Sequence, residues 1–287
     1  MSRFYFSYLG NKRTELKHID NLVDWDDFDT IVEPFAGSAA LTLEIHSRGL
    51  GKTHAVNDVD PNLTGMFRFI KEHTSQPLYD YCRTRLTPEE FTRHHKLKPG
   101  PDLTVFEYFY RQRVRGAFQR VHNAPEKWPT LDRGHKQIST DACFTTASIT
   151  NTDWRTCVDA HKDNPRALIF LDPPYFNSFN QSYYGMDGVK VAPDGTILDG
   201  TALFLEMLEY LKTAAATIVV ITNSCAIIDY IFAPYIRLRY GKKYSSGVTL
   251  HNGDYVNKST NHILLVGGGI KPVAAITNAE LTELIGF

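Results

Sequence analysis

Cysteine is scarce in this chain and poorly spaced for metal or redox chemistry. Cys82, Cys143, Cys157 and Cys225 are widely scattered, with no Cys-x-x-Cys and no recognisable Cys/His ligand spacing. The sequence therefore suggests neither a zinc site nor a disulfide framework, and a reducing cytoplasm is the expected setting. Long apolar runs are missing too. Ala167–Leu171 and Ile218–Ile221 are strand-sized, far short of the roughly 20 residues a membrane-spanning helix needs. The first residues, Met1–Ser7, contain no apolar segment followed by a small-residue cleavage site. There is no internal repeat, no low-complexity tract and almost no excess of charge, the net value being −1. What remains is a chain of 287 residues, 43% hydrophobic and 22% charged, which suits a globular protein of one or two domains.

The small net charge hides an uneven distribution. Residues 1–60 sum to −4, residues 61–150 to +5 and residues 151–287 to −2. A basic middle third is a natural partner for nucleic acid, although an ordinary solvated surface would read the same way.

Two stretches carry the pattern of an α/β nucleotide-binding corner. Thr30-Ile31-Val32 reads as a strand, ends in Glu33-Pro34-Phe35-Ala36-Gly37-Ser38-Ala39-Ala40, and leads into an apolar helix from Leu41 to Ile45. A strand, a tight small-residue turn and a helix N-terminus together form a cofactor-binding corner. Gly37 permits close backbone approach, but one glycine does not make the dinucleotide pattern Gly-x-Gly-x-x-Gly. Next, His54 to Asp58 reads as a second strand ending in an acid, the place where such folds hold ribose hydroxyls; Asp58 also fits a plain turn. Near the N-terminus, Tyr8, Gly10 and Lys12 form a short loop that suits either a ligand or tyrosine packing, and a helix is expected from Thr14 to Val23.

Residues 61–142 interrupt the α/β rhythm. A helix is expected over Leu63–Glu72, a helix start at Thr87-Pro88-Glu89-Glu90, and a turn at Lys98–Pro101. From Phe106 to Arg120, Arg111, Arg113, Arg115 and Arg120 interleave with aromatics, and Gly116 allows a turn. Such arginines suit contacts to phosphates or guanine edges, or equally the solvated face of a helix. The α/β pattern resumes with a strand expected over Cys143–Ile149. Asp153-Trp154 then either edges a purine pocket or caps a helix. A helix over Gly200–Thr213, a strand over Thr217–Thr222, a helix over Cys225–Phe232 and strands near Ile236–Tyr240 and His262–Val266 complete the chain.

The apolar run Ala167–Leu171 delivers Asp172-Pro173-Pro174-Tyr175 at a strand tip. An acceptor-only carboxylate, two stiffening prolines and an aromatic face suit a flat ring with an exocyclic amino group; an ordinary strand-ending turn uses the same residue types.

Taken in order, these motifs resemble the Dam-like, D12-class (α-group) adenine-N6 DNA methyltransferases. Tyr8-Leu9-Gly10-Asn11-Lys12 is similar to their N-terminal motif and Glu33–Ser38 to their S-adenosylmethionine motif. Asp58 falls at the ribose acid, Asp153-Trp154 at the pair near the cofactor adenine, and Asp172–Tyr175 at the catalytic tetrapeptide. The resemblance implies a Rossmann-like S-adenosylmethionine-dependent fold, a mixed central sheet with helices on both faces. Residues 1–60 and 143–287 would form the catalytic domain, and 61–142 a small, mainly helical target-recognition insert. It implies Tyr8, Lys12, Glu33, Pro34, Phe35, Ala36, Gly37, Ser38, Asp58, Asp153 and Trp154 as cofactor residues, and Arg111, Arg113, Arg115 and Arg120 as DNA contacts. It also implies double-stranded DNA as partner and no metal, with a cognate restriction endonuclease as a further partner if the enzyme belongs to a restriction-modification pair. The setting would be the cytoplasm of a bacterial or phage-infected cell. Two departures stand out: Gly37-Ser38-Ala39-Ala40 where many relatives carry a second glycine or a Gly-Ser pair, and Tyr8 where many carry tryptophan.

The implied reaction is attack of adenine N6 on the sulfonium methyl, with Asp172 and the Pro173 carbonyl accepting the amino hydrogens and Tyr175 stacking on an extruded base. No Cys follows a Pro, so the nucleophile of cytosine-C5 enzymes is missing, and the leading Asp argues against the Ser-Pro-Pro-Tyr and Asn-Pro-Pro-Tyr patterns. A nucleotide-dependent oxidoreductase, a DNA-binding module without catalysis, and RNA as substrate are the alternatives.

Overall fold

The computed structural model describes residues 5, 12, 15–85, 87–98, 100–121, 141–173, 190–191, 197–198, 200–251 and 254–269. Contacts divide the chain into two compact units, Met1–His161 and Lys162–Phe287.

The first unit contains α1 (Leu16–Ile19), β1 (Thr30–Glu33), α2 (Ala40–Ser47), β2 (Thr53–Asn57), α3 (Pro61–His73), α4 (Gln76–Arg83), α5 (Pro88–Lys96), α6 (Val105–Val121), α7 (Ala142–Thr146), β3 (Ser148–Thr150) and α8 (Trp154–Asp159). β2 pairs in parallel with β1 on one side (Thr30 opposite Thr53) and β3 on the other (Ala55 opposite Ser148). Ile31–Glu33 and His54–Asn57 are buried without interruption, as expected of parallel strands covered on both faces.

The helices show why their sequences fold as they do. α3 starts on Asp60, whose side chain accepts the Asn62 N–H, with Pro61 at the first helical position. It then buries Leu63, Met66, Phe67 and Ile70, a spacing of three, four and seven that makes one face. α5 starts the same way, Thr87 accepting the Glu90 N–H ahead of Pro88. These faces merge into one core with Tyr5, Val56, Leu78, Tyr79, Phe91, Tyr108, Phe109 and Phe144. Each such side chain contributes about 1.5–3 kcal/mol by leaving water. A buried carboxylate fastens the core at one edge. Asp141 accepts from the Tyr5 hydroxyl at 2.7 Å and from the backbone and hydroxyl of Ser75 at 2.7 and 2.9 Å.

The second unit contains β4 (Ala167–Leu171), β5 (Lys190–Val191), β6 (Ile197–Leu198), α9 (Gly200–Thr213), β7 (Thr217–Asn223), α10 (Ala226–Ile231), β8 (Ile236–His251) and β9 (Asp254–Gly268). β4 and β7 are parallel, β9 is antiparallel to both β7 and β8, and β5 and β6 form a small separate ladder. Every residue of β4 and β7 is buried. Gly268, at φ 74°, ends β9 where an added Cβ would lie 2.0 Å from the Ala216 carbonyl oxygen, so that position requires glycine. Parallel strands joined through helices, with an antiparallel pair at the C-terminal end, make the class α/β with mixed strand direction. No helix among the described residues is long and apolar enough to cross a membrane.

Several local expectations need correction. The helix expected from Thr14 to Val23 is only the four residues of α1. The turn allowed at Gly116 is absent, because α6 runs unbroken from Val105 to Val121. A glycine inside a helix costs about 1 kcal/mol, less than α6 gains by burying Tyr108, Phe109 and Tyr110. The strand expected from Cys143 is a helix first and a strand only from Ser148, since α7 seats Phe144 on Phe67 with ring centroids 4.8 Å apart. α4 was not anticipated, and the two C-terminal strands are far longer than expected because each continues past the sheet in one hairpin.

Arg111 and Arg113 are half-buried and engaged within the unit. Arg111 donates to the Leu97 carbonyl at 2.6 Å. Arg113 donates to the Tyr5 carbonyl at 2.8 Å and lies over the Tyr79 and Phe109 rings at 5.0 and 5.8 Å. Arg113→Ala is therefore expected to lower the unfolding free energy by about 1–3 kcal/mol in urea titration. A change within experimental error would show that these contacts do not hold the unit together.

Candidate active site

The corner after β1 is built by backbone conformation and by buried polar side chains. Gly37 and Ala39 both have φ of 51°, in the left-handed region. Glycine adopts this region freely, whereas for alanine it costs about 1–2 kcal/mol. Ala39, the first alanine of the departure from Gly-rich relatives, thus stands where a glycine would be unstrained. It is also the residue before α2, and it has no side chain with which to cap that helix. The cap comes from the strand instead. A Glu33 carboxylate oxygen accepts from the Thr42 hydroxyl at 2.6 Å and from the Thr42 N–H at 3.3 Å. The sequence placed Glu33 among cofactor residues; its structural bond is to the start of α2.

Asp58 lies beside the same turn. One of its oxygens accepts from the Gly37 N–H at 2.9 Å and the other from the Asp60 N–H at 3.0 Å. Burial pushes its pKa up to about 6, against the opposing pull of those backbone hydrogen bonds. Asp58 therefore sits as a turn residue through Asp60 and also ties the end of β2 to the turn after β1 through Gly37.

Asn57 connects the pieces. Its amide nitrogen donates to the carbonyls of Pro34 and Thr152, both at 3.0 Å. Its amide oxygen accepts from the Thr150 hydroxyl at 2.8 Å, the Thr152 N–H at 3.0 Å and the Thr152 hydroxyl at 3.1 Å. Its backbone carbonyl accepts the Ala36 N–H at 2.9 Å. The residue is 1% exposed. Sequence reasoning passed over it as part of a strand. The only available signal was a polar residue where β2 is otherwise buried, which demands a full set of partners.

Phe35 stacks on Trp154, with centroids 5.6 Å apart and an interplanar angle of 28°. Asp153 caps α8 by accepting the Arg155 N–H at 2.9 Å, and it also pairs with the Arg155 guanidinium at 3.0 Å. Lys12 is buried, and its carbonyl accepts the Glu15 N–H. The first unit thus brings Glu33–Ser38 together with Asp58 through hydrogen bonds and with Trp154 through ring stacking. In the second unit, Asp172 is half-buried and Pro173 buried at the tip of β4. Tyr8, Pro174 and Tyr175 lie outside the described residues, as do the side chains of Arg115 and Arg120.

The profile of the D12 class N6 adenine-specific DNA methyltransferases matches residues 8–245. The chain belongs to that family. Among its curated relatives is the Type II methyltransferase M.CviBI of Paramecium bursaria Chlorella virus NC1A, 23% identical over 274 residues that cover 89% of this chain and 96% of the relative. The chain is accordingly an adenine-specific DNA methyltransferase, with DNA as substrate and a methyl donor as second substrate. The fold class follows with it, a Rossmann-like methyltransferase of mixed strand direction. Within this family member the Asn57 amide sets the corner after β1. Asn57→Ala is expected to cost about 1–3 kcal/mol of stability, because it strands the carbonyl of buried Pro34 and breaks the bonds to Thr150 and Thr152. Chemical denaturation giving a loss under about 0.5 kcal/mol, the size of an ordinary surface substitution, would refute this assignment.

Proposed function

We propose that this methyltransferase extrudes an adenine from duplex DNA and moves the methyl of S-adenosylmethionine directly to N6, leaving S-adenosylhomocysteine. The observation that carries the reading is β4: five consecutive buried residues end in Asp172-Pro173. A carboxylate on a rigid strand tip suits catalysis by orientation. The adenine amino nitrogen is a weak nucleophile because its lone pair is delocalised into the ring. Asp172 and the Pro173 carbonyl accept its two hydrogens and turn the lone pair toward the methyl. Tyr175 stacks on the base and offsets part of the few kcal/mol that unstacking costs. The excess proton leaves N6 once it is alkylated, so Asp172 need not be a strong base.

The first unit's corner fits the cofactor. Its turn combines left-handed Gly37, a helix start capped from Glu33 rather than from the turn, and an acid, Asp58, that accepts the Gly37 N–H. When bound, S-adenosylmethionine supplies an electrophilic sulfonium methyl. Lys12 pairs with its carboxylate and Asp58 with its ribose. Tyr8, Phe35 and Trp154 border it, together with Pro34, Ala36, Ser38 and Asp153, and Glu33 holds the turn against α2. Residues 61–142 read the target, with Arg115 and Arg120 on the DNA and Arg111 and Arg113 positioning α6 through their internal bonds. A restriction endonuclease of the same specificity is the partner expected if the enzyme protects host DNA, and the cytoplasm is the compartment that holds both DNA and cofactor.

Asp172→Ala should slow single-turnover methyl transfer by on the order of 10²–10³-fold, with S-adenosylmethionine affinity unchanged. Near-wild-type turnover would remove Asp172 from the mechanism. Asp58 provides a pH test. Ionised, its carboxylate offers acceptors to both ribose hydroxyls, and protonation turns one of them into a donor; its folded pKa is raised to about 6, so affinity is full at neutral pH and falls on acidification through that value. Between pH 7 and pH 5 the dissociation constant should rise about tenfold, while Asp58→Asn binds weakly with a flat profile. A flat wild-type profile by calorimetry would show that Asp58 does not meet the cofactor.

A further inference from the structure

The methyl-transfer reading leaves one buried cluster unused. His54, the second residue of β2, is 3% exposed, and neither of its ring nitrogens has a hydrogen-bond partner. Burying an imidazole without partners is costly, and such a group in a folded protein calls for a ligand. Two other donors face it. His46, in the last turn of α2, sets its ring edge-on to His54 with centroids 5.4 Å apart and an interplanar angle of 71°. Cys143, in α7, is fully buried. One donor atom from each of the three lies within 4.8 Å of the others.

We propose that His46, His54 and Cys143 form a structural site for a zinc-class ion. Two imidazoles and a thiolate are the donor set that borderline-soft divalent ions prefer. Zinc bonds of about 2.0–2.1 Å to nitrogen and 2.3 Å to sulfur place donors closer together than they stand here, so the three side chains close inward on the ion. Half-buried His46 leaves the fourth position open to water. On binding, the Cys143 thiol proton passes to solvent and the thiolate takes its place on the metal. The ion would staple the end of α2, the start of β2 and α7. His54 sits at the opposite end of β2 from Asn57, so the role is to hold the strand that carries the corner. This departs from the expectation of a metal-free enzyme, and it does not depend on the methyl-transfer mechanism.

The test uses the full chain, stripped with chelator, with Co²⁺ as a spectroscopic probe and Zn²⁺ as competitor. One equivalent of Co²⁺ should give a thiolate-to-cobalt charge-transfer band, Zn²⁺ should abolish it, and Zn²⁺ should raise the melting temperature. Cys143→Ala should lose the band, and His46→Ala should weaken Zn²⁺ binding about tenfold or more. A folded wild-type chain without the band, or a band that survives Cys143→Ala, overturns the site. If Cys143→Ala does not fold, His46→Ala decides, and unchanged Zn²⁺ affinity there overturns it.

Discussion

One primary amide holds the corner after β1 of this protein in place. Asn57 sits at the C-terminal end of β2, and its side chain bonds both to the turn after β1 and to the loop after β3. Three chain segments that are distant in sequence therefore meet at a fixed spacing. The satisfaction is complete on both amide atoms, which is the condition under which a buried polar group specifies a geometry rather than weakening a core. The neighbouring Asp58 extends the same arrangement by gripping the Gly37 and Asp60 N–H groups.

The same device recurs elsewhere in the first unit. Glu33 caps α2 across the turn, and Asp141 ties Tyr5 to the chain just before α4. Each uses a buried carboxylate to collect donors that a helix end leaves unsatisfied. Strained Ala39 persists because these bonds and the buried α2 surround it. The corner is thus held by bonds within the chain itself.

Much of this could be read from the residues. Parallel strands β1 and β2, the capped starts of α3 and α5, and buried β4 leading to Asp172 all follow from local pattern, because each depends on residues adjacent in sequence. The family itself was legible from the order of its motifs. What could not be read depends on long-range partners. Nothing near Asn57 announces Pro34 or Thr152. Nothing near Arg113 announces the Tyr5 carbonyl or the two rings over which its guanidinium lies. Gly116 suggested a turn because its local cost is visible while the burial that outweighs it is not. His46, His54 and Cys143 have no ligand spacing, since α2, β2 and α7 bring them together only in three dimensions.

The central claim is that this strand-tip carboxylate and this corner serve transfer of a methyl group to one nitrogen of one base. The most direct measurement is to incubate unmethylated duplex DNA with the enzyme and isotopically labelled S-adenosylmethionine, digest to nucleosides and identify the labelled product by mass spectrometry. The account predicts label in N6-methyldeoxyadenosine alone. Label in a methylated cytosine, or no label in DNA from a folded enzyme that binds the cofactor, would contradict it.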